Sequence, residues 1–276
     1  MNGTFRTFRE KMNILSTLAI VLFIAVAVAA MNPRPAPAQS DSPVVAADQV
    51  DSVFDVANEE YKAGNFENAI TLYEGLLAGS SIMAADVHYN IANASFKLND
   101  PGKAIASYRR ALLLRPRDRD IAANLLFVRE AVVDKIDRPR GAEFVREAFF
   151  FHYSLSDGEA ETVFLGAFIA ASLLGAICLF RSSKALVWLT VAALAVTLTF
   201  GASCALRWRA AANPSQAVLV SDEADVHTGP GRNYIVSFNL HDGAEMKIRR
   251  VEGDWRQIEL PDGRRGWIEN SDLEVI

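Results

Sequence analysis

Two uncharged apolar runs, Val163 to Phe180 and Ala185 to Leu206, constrain this chain more than any other feature. A helix needs roughly 20 apolar residues to cross a ~30 Å hydrocarbon core, so each run suffices for one crossing. The pair predicts transmembrane helices over residues 162–180 and 185–206. Between them, Arg181-Ser182-Ser183-Lys184 carries two positive charges and no negative one. Short loops rich in Lys and Arg stay on the cytoplasmic side, so 181–184 reads as a cytoplasmic loop. Asp157, Glu159 and Glu161, ahead of the first run, suit the opposite face. Two crossings return the chain to the side it left, so the segments flanking the hairpin share a compartment, an extracytoplasmic one. Ala167, Ala171 and Gly175 in the first run, and Ala193, Thr197, Gly201 and Ala205 in the second, form small-residue ladders. Such ladders let membrane helices approach closely. No charge inside the runs suggests a transport path.

The N-terminus agrees with export. Arg6, Arg9 and Lys11 precede an uncharged run from Met12 to Asn32, and Ala36-Pro37-Ala38 forms a small-residue cleavage site. Residues 1–38 read as a signal peptide or as an uncleaved N-terminal anchor. Either sends the following residues out of the cytoplasm. Residues 39–51, with Ser and Pro, read as a linker.

From Ser52 the chain repeats itself. Ala57, Asn58, Tyr61, Ala69 and Tyr73 recur as Ala92, Asn93, Phe96, Ala104 and Tyr108, an offset of 35 residues. The pattern resembles the tetratricopeptide repeat, a 34-residue helix-turn-helix, over 52–83 and 85–117 within a region 52–137. The extra residue falls in the loop Ala78-Gly79-Ser80-Ser81. The alanines mark close helix packing. Gly64-Asn65 and Asn99-Asp100 supply turn chemistry. Two units leave an open apolar end, and 118–136, with Ile121, Leu125, Val128 and Val132 at helical spacing, reads as the capping helix. In such repeats the first helix of each pair lines a concave groove. That places Asn58, Tyr61, Lys62, Tyr89, Asn90, Asn93, Phe96 and Lys97 there, with Asn124 from the cap. Asn amides suit the backbone of an extended peptide. Repeats that clamp a C-terminal carboxylate need a further Lys or Arg where this chain has Asp120 and Asn124, so that ligand is not expected.

Residues 138–160, aromatic-rich over Phe144 to Leu155, read as a juxtamembrane interfacial segment, with a helix packed on the repeats as the competing reading. Past the hairpin, 207–215 reads as a linker. From Gln216 to Ile276 short β-rich runs alternate with turns such as Thr228-Gly229-Pro230-Gly231, Asp242-Gly243 and Pro261-Asp262-Gly263. Strands are expected at 217–220, 224–226, 234–240, 245–251, 255–260 and 266–268, a small barrel. The run DVHTGPGRNYIVSFNLHDGAEMKI and the following GDWRQIELPDGRRGWI resemble a bacterial SH3 domain, with His227 where that family usually has Arg. Tyr234, Trp255 and Trp267 are the candidate ligand surface. Packing competes as the role of both tryptophans.

No G-x-x-x-x-G-K-[ST], H-E-x-x-H or G-x-S-x-G sequence occurs, and no Cys-His spacing fits a metal site. The only cysteines, Cys178 and Cys204, lie inside the apolar runs. A net charge of −5 gives no basic face for nucleic acid. The expectation is a non-enzyme without catalytic residue, cofactor or metal. The fold class is a multidomain membrane protein with all-α tetratricopeptide repeats, a transmembrane hairpin and a small all-β SH3-like barrel. This order of parts resembles the BatE-like proteins of aerotolerance (Bat) operons. The resemblance implies an inner-membrane scaffold or adaptor acting beside von Willebrand A-domain membrane proteins and a MoxR-type ATPase. Binding or sensing of peptidoglycan through the SH3-like module is the alternative. Reporter fusions check the topology: a reporter active only in the cytoplasm is expected to work within 181–184, and one active only outside it at the C-terminus.

Overall fold

The structure, a computed structural model, describes residues 47–79, 83–136, 154–181, 183–212 and 215–276. The N-terminal segment 1–38, most of the linker 39–51, residues 80–82 and most of the juxtamembrane segment 138–160 lie outside them. Among the described residues, five helices precede the apolar hairpin: α1 (Ala47–Ala63), α2 (Phe66–Gly79), α3 (Ala84–Lys97), α4 (Pro101–Leu114) and α5 (Arg119–Ala131). The repeat shows in the backbone as well as the sequence. Gly64 has φ +86° and Asn99, 35 positions on, has φ +60°. Gly and Asn are the residues that best tolerate this left-handed region, so each turns one helix into the next. Ala57, Ala69, Ala92 and Ala104 are fully buried, which lets the helices of each pair approach. Asp100 caps α4 by accepting from the Lys103 N–H at 3.0 Å, and Pro101 follows where a missing N–H is harmless. Asp118 caps α5 through the N–H groups of Asp120 and Ile121.

The expected capping helix 118–136 is shorter in the structure. It ends at Ala131, and Val132 is already extended at φ −68°, ψ 153°. The barrel competes for the residues that follow. Val132 packs against Gly243, Asp134 accepts the His241 backbone N–H at 2.7 Å, and Ile136 joins the barrel core.

The barrel has seven strands among the described residues: β1 (Gln216–Leu219), β2 (Glu223–His227), β3 (Val236–His241), β4 (Glu245–Glu252), β5 (Trp255–Glu259), β6 (Arg265–Glu269) and β7 (Leu273–Val275). Their order is β3-β2-β6-β5-β4-β1-β7, with every pairing antiparallel. Leu219, Val226, Leu240, Ile258 and Ile268 fill the interior. Six strands were expected. The seventh is three residues long, too short for a periodic signal, and follows a 3₁₀ turn at Asn270–Asp272.

The repeats and the barrel pack as one unit, although the hairpin separates them in sequence. Val218 of β1 lies in the same buried cluster as Ala104, Ile105, Leu125 and Val132, and Ile276 packs on it. At Gly102 a Cβ would collide with the Leu219 carbonyl and the Asp242 side chain, so the two backbones meet where one residue has no side chain. Ion pairs surround this contact. Glu245 accepts from Arg129 through both oxygens at 2.7 Å and lies 3.3 Å from Arg109. Arg110 pairs with Glu274 and donates to the Val275 carbonyl at 2.6 Å. At the edge, Asp242 has one oxygen buried without a hydrogen-bond partner among the described residues. Burial raises its pKa from 3.8 to about 6, and neighbouring backbone N–H groups at Gly102 and Gly243 offset only part of that.

The hairpin forms its own unit, α6 (Asp157–Phe180) and α7 (Lys184–Ala212). Both helices extend beyond the expected 162–180 and 185–206, and α7 takes in most of what reads as the linker 207–215. Both are long and apolar enough to cross a membrane. They turn large apolar side chains outward, among them Leu173 and Trp188, which is 73% exposed. Phe164 seats against Gly201, and Ala171 and Thr197 are buried, so part of each ladder does mediate packing. At the open end Arg207 pairs with Asp157 at 2.8 Å, and the Trp208 indole donates to Glu161 at 3.3 Å.

Two predictions follow from the repeat–barrel contact. Glu245→Ala removes the carboxylate that Arg129 and Arg109 share and is expected to destabilise the detergent-solubilised chain by about 2 kcal/mol in urea unfolding. The raised pKa of Asp242 means that the folded state holds its proton more tightly than the unfolded state. That stabilisation is present at acid pH and lost as pH rises towards about 6. Asp242→Asn should therefore stabilise the protein at pH 7.5 and change little at pH 4, as compared by thermal unfolding at both values.

Candidate functional site

Two surfaces within the repeat–barrel unit qualify. The first is the face carrying the inner helices of the repeats. Tyr73 donates to the Asn58 carbonyl oxygen at 2.6 Å, and Tyr108 donates to the Asn93 carbonyl oxygen at 2.5 Å. These pairs are equivalent by the 35-residue offset, so each repeat ties its two helices with one Asn–Tyr bond. Asn90 donates to the same Asn58 oxygen at 3.2 Å, linking the first unit to the second. Asn124 donates to the Tyr89 hydroxyl at 3.0 Å, linking the second unit to α5. Burial raises the pKa of both Tyr73 and Tyr108, so each phenol remains a neutral donor.

The candidate groove residues are thus brought together, but as a hydrogen-bonded ladder. The Asn58 and Asn93 carbonyls are engaged internally, which leaves their amide N–H groups without a partner among the described residues. Tyr61 packs edge-on to Phe66 and Phe96 edge-on to Phe127, so both rings are partly used in packing. Lys62 and Lys97 are exposed, and Lys62 pairs with Glu59 at 2.8 Å. Each tyrosine-to-phenylalanine change removes a donor from a partly buried carbonyl. Tyr73→Phe and Tyr108→Phe are each expected to lower stability by about 1 kcal/mol in urea unfolding.

The second surface is a cleft of about 610 Å³ on the barrel, lined by Glu223, Ala224, Asp225, His227, Arg232, Val236, Trp255, Glu269 and Asp272. The pleat of β2 builds its wall: Ala224 and Val226 point inward, so Glu223 and Asp225 both face out. His227, 7% exposed, follows a register shift in the β2–β3 ladder. Its ring meets Trp255 edge-on at 5.3 Å, and its Nδ1 is 2.9 Å from the Tyr234 carbonyl oxygen. A carbonyl can only accept, so Nδ1 carries the proton. In the neutral ring Nε2 then offers a lone pair. Arg232 grips both oxygens of Glu269 at 2.6 and 2.8 Å, and this bond holds the Glu269 carboxyl below its ordinary pKa.

The three aromatic residues expected to form a ligand surface are split. Trp255 lines the cleft. Trp267 is 6% exposed; it stands in register with His227 and Gln257, on the face opposite the interior-pointing Ile268, and does not line the cleft. Tyr234 is half exposed but lies folded over Gly229 and Gly231, outside the cleft lining. The carboxylates were missed because each looked like an ordinary solvated surface charge. The available signal was the alternation of Glu223 and Asp225 with buried Ala224 and Val226.

Comparison with known proteins agrees with both architectures. Residues 85–118 match the family described as Tetratricopeptide repeat. Residues 220–274 match the family described as Bacterial SH3 domain. The chain therefore carries a tetratricopeptide repeat and a bacterial SH3 domain, with two candidate membrane helices between them. This order of parts is consistent with a BatE-like layout. A Bacillus subtilis (strain 168) protein named "Putative N-acetylmuramoyl-L-alanine amidase YrvJ" is 38% identical over 53 residues. The match spans 19% of this chain and 10% of that protein, so the likeness is of a module and not of the whole. Both domain classes support a protein-interaction or cell-wall-binding role.

Proposed function

We propose that this protein is a membrane-anchored scaffold or adaptor of the bacterial envelope. The repeat groove holds a protein or peptide partner, the hairpin fixes the chain in the inner membrane, and the barrel reads a second ligand. The observation that carries this reading is the packing of the repeats on the barrel across the intervening hairpin. Two modules that share a buried cluster must lie on the same side of any membrane the hairpin crosses. An even number of crossings meets that requirement, and the Arg181 to Lys184 loop favours the extracytoplasmic side for both modules. The Arg207 charge near the other end is met by Asp157, which weakens any opposing bias. By resemblance, the partners are membrane proteins with von Willebrand A domains. The chain acts by binding and carries no catalytic role, cofactor or metal in this reading.

The test is co-purification of envelope proteins with the full chain. Lys62→Glu combined with Lys97→Glu changes exposed groove residues without touching the Asn–Tyr ladder. This double variant is expected to lose a partner that the unaltered chain retains. Retention of every partner would argue against the groove.

A second reading is binding of peptidoglycan through the barrel, with which the short amidase likeness is consistent. That relative's name denotes cleavage of the bond between N-acetylmuramic acid and L-alanine, and the shared stretch is short enough to be a common binding module. The full chain, solubilised in detergent, is expected on this reading to sediment with purified sacculi. The whole chain suits this assay, because Val218 and Ile276 of the barrel region share their cluster with the repeats.

A further inference from the structure

The barrel cleft has a chemistry more specific than general peptide binding. Four carboxylates line it, Glu223, Asp225, Glu269 and Asp272, against a single guanidinium, Arg232. That guanidinium is already committed to Glu269 through two hydrogen bonds. Glu223 accepts from the neutral Asn239 amide at 2.7 Å, and Asp272 from the neutral Ser221 hydroxyl at 2.8 Å. Neither bond cancels charge. The Asp225 carboxylate has no hydrogen-bond or ion-pair partner among the described residues, its backbone pairing being in the β2–β3 ladder. The cleft therefore carries three uncompensated negative charges.

Charge alone would describe a solvated surface. Two further features make this a site. Trp255 lines the same cleft, and an indole face attracts a cation within about 6 Å of its centroid. His227 is more than nine-tenths buried and lines the cleft too. With Nδ1 held by the Tyr234 carbonyl, its Nε2 has no partner among the described residues and can only accept a hydrogen bond while the ring is neutral. A carboxylate, an indole face and a lone-pair nitrogen together fit a group that is cationic and rich in N–H donors. A primary ammonium meets all three: one positive charge and three donors on a compact head.

We infer that the cleft between β2, β5 and the Asn270–Asp272 turn binds a peptide through a free primary ammonium group, with Asp225 as its counter-ion and Trp255 as its aromatic wall. The inference rests on the proposal that the barrel reads a peptide or wall ligand, and it assigns the chemistry of that ligand.

The experiment uses the detergent-solubilised full chain at low salt and two peptides, acetyl-Ala-Lys-Ala-amide and the same peptide with its lysine acetylated on the ε-nitrogen. The free amine is expected to bind at least fivefold more tightly than the acetylated form, with affinity falling as salt is raised. Asp225→Asn should remove most of that difference. Asp225 is exposed, so the variant is expected to fold, and Trp255→Phe provides an independent reduction. Equal binding of the two peptides, no binding of either, or an Asp225→Asn variant that keeps the preference would overturn the inference. Sedimentation with purified sacculi, untreated and N-acetylated, separates it from the reading on which it rests. Co-sedimentation that survives acetylation leaves wall binding intact and removes the ammonium. Binding of the lysine peptide with no co-sedimentation removes the wall and keeps the cleft.

Discussion

The contact between the helical repeats and the barrel is the constraint on which the rest of the soluble architecture depends. Glu245 sits at its centre, 14% exposed, with Arg129 holding both its oxygens and Arg109 beside it. A carboxylate removed from water is costly unless matched by charge and hydrogen bonds. Here two different helices, α4 and α5, provide the match. The apolar part of the contact lies next to it, where Val218 enters the repeat cluster and Gly102 lets the backbones meet. The ion pairs favour one register of barrel on helices, and the buried apolar area stabilises that register.

This contact changes how the repeat array ends. An array of two units exposes apolar surface on its last helix, and a capping helix is the expected remedy. The chain uses α5 for part of it, burying Ile121, Leu125 and Val128. The barrel supplies the remainder, and α5 stops at Ala131 so that Val132 to Ile136 can run onto it. The barrel is thus a structural cap on the repeat array as well as a domain with its own core.

Much of this was legible in the sequence. The 35-residue offset gave the repeat pairs, since Ala, Asn and Tyr recur where packing demands small, polar and bulky groups in turn. The apolar runs gave the hairpin, since its helices satisfy their own backbone and need only composition to be recognised. The barrel was legible through its turns and its alternation. What stayed hidden was everything that depends on residues far apart meeting in space. Glu245 and Arg129 are separated by 116 positions, and nothing local marks either as a partner. The seventh strand was too short to show a period. The asparagines recurring on the repeats stood out as a group, while their bonds to Tyr73, Tyr89 and Tyr108 did not. In the cleft, Trp255 was singled out, but Asp225 and His227 acquire meaning only once β2 and β5 are folded together.

The packing of repeats on barrel is tested most directly by cross-linking across it. Cysteines placed at Arg110 and Glu274, with Cys178 and Cys204 replaced by alanine, lie on the two sides of the contact in a chain with an engineered protease site in the 181–184 loop. After treatment with a short bismaleimide and cleavage, the account predicts that the N- and C-terminal fragments stay joined on a denaturing gel. Fragments that separate, although both thiols react with a monofunctional maleimide, would contradict it.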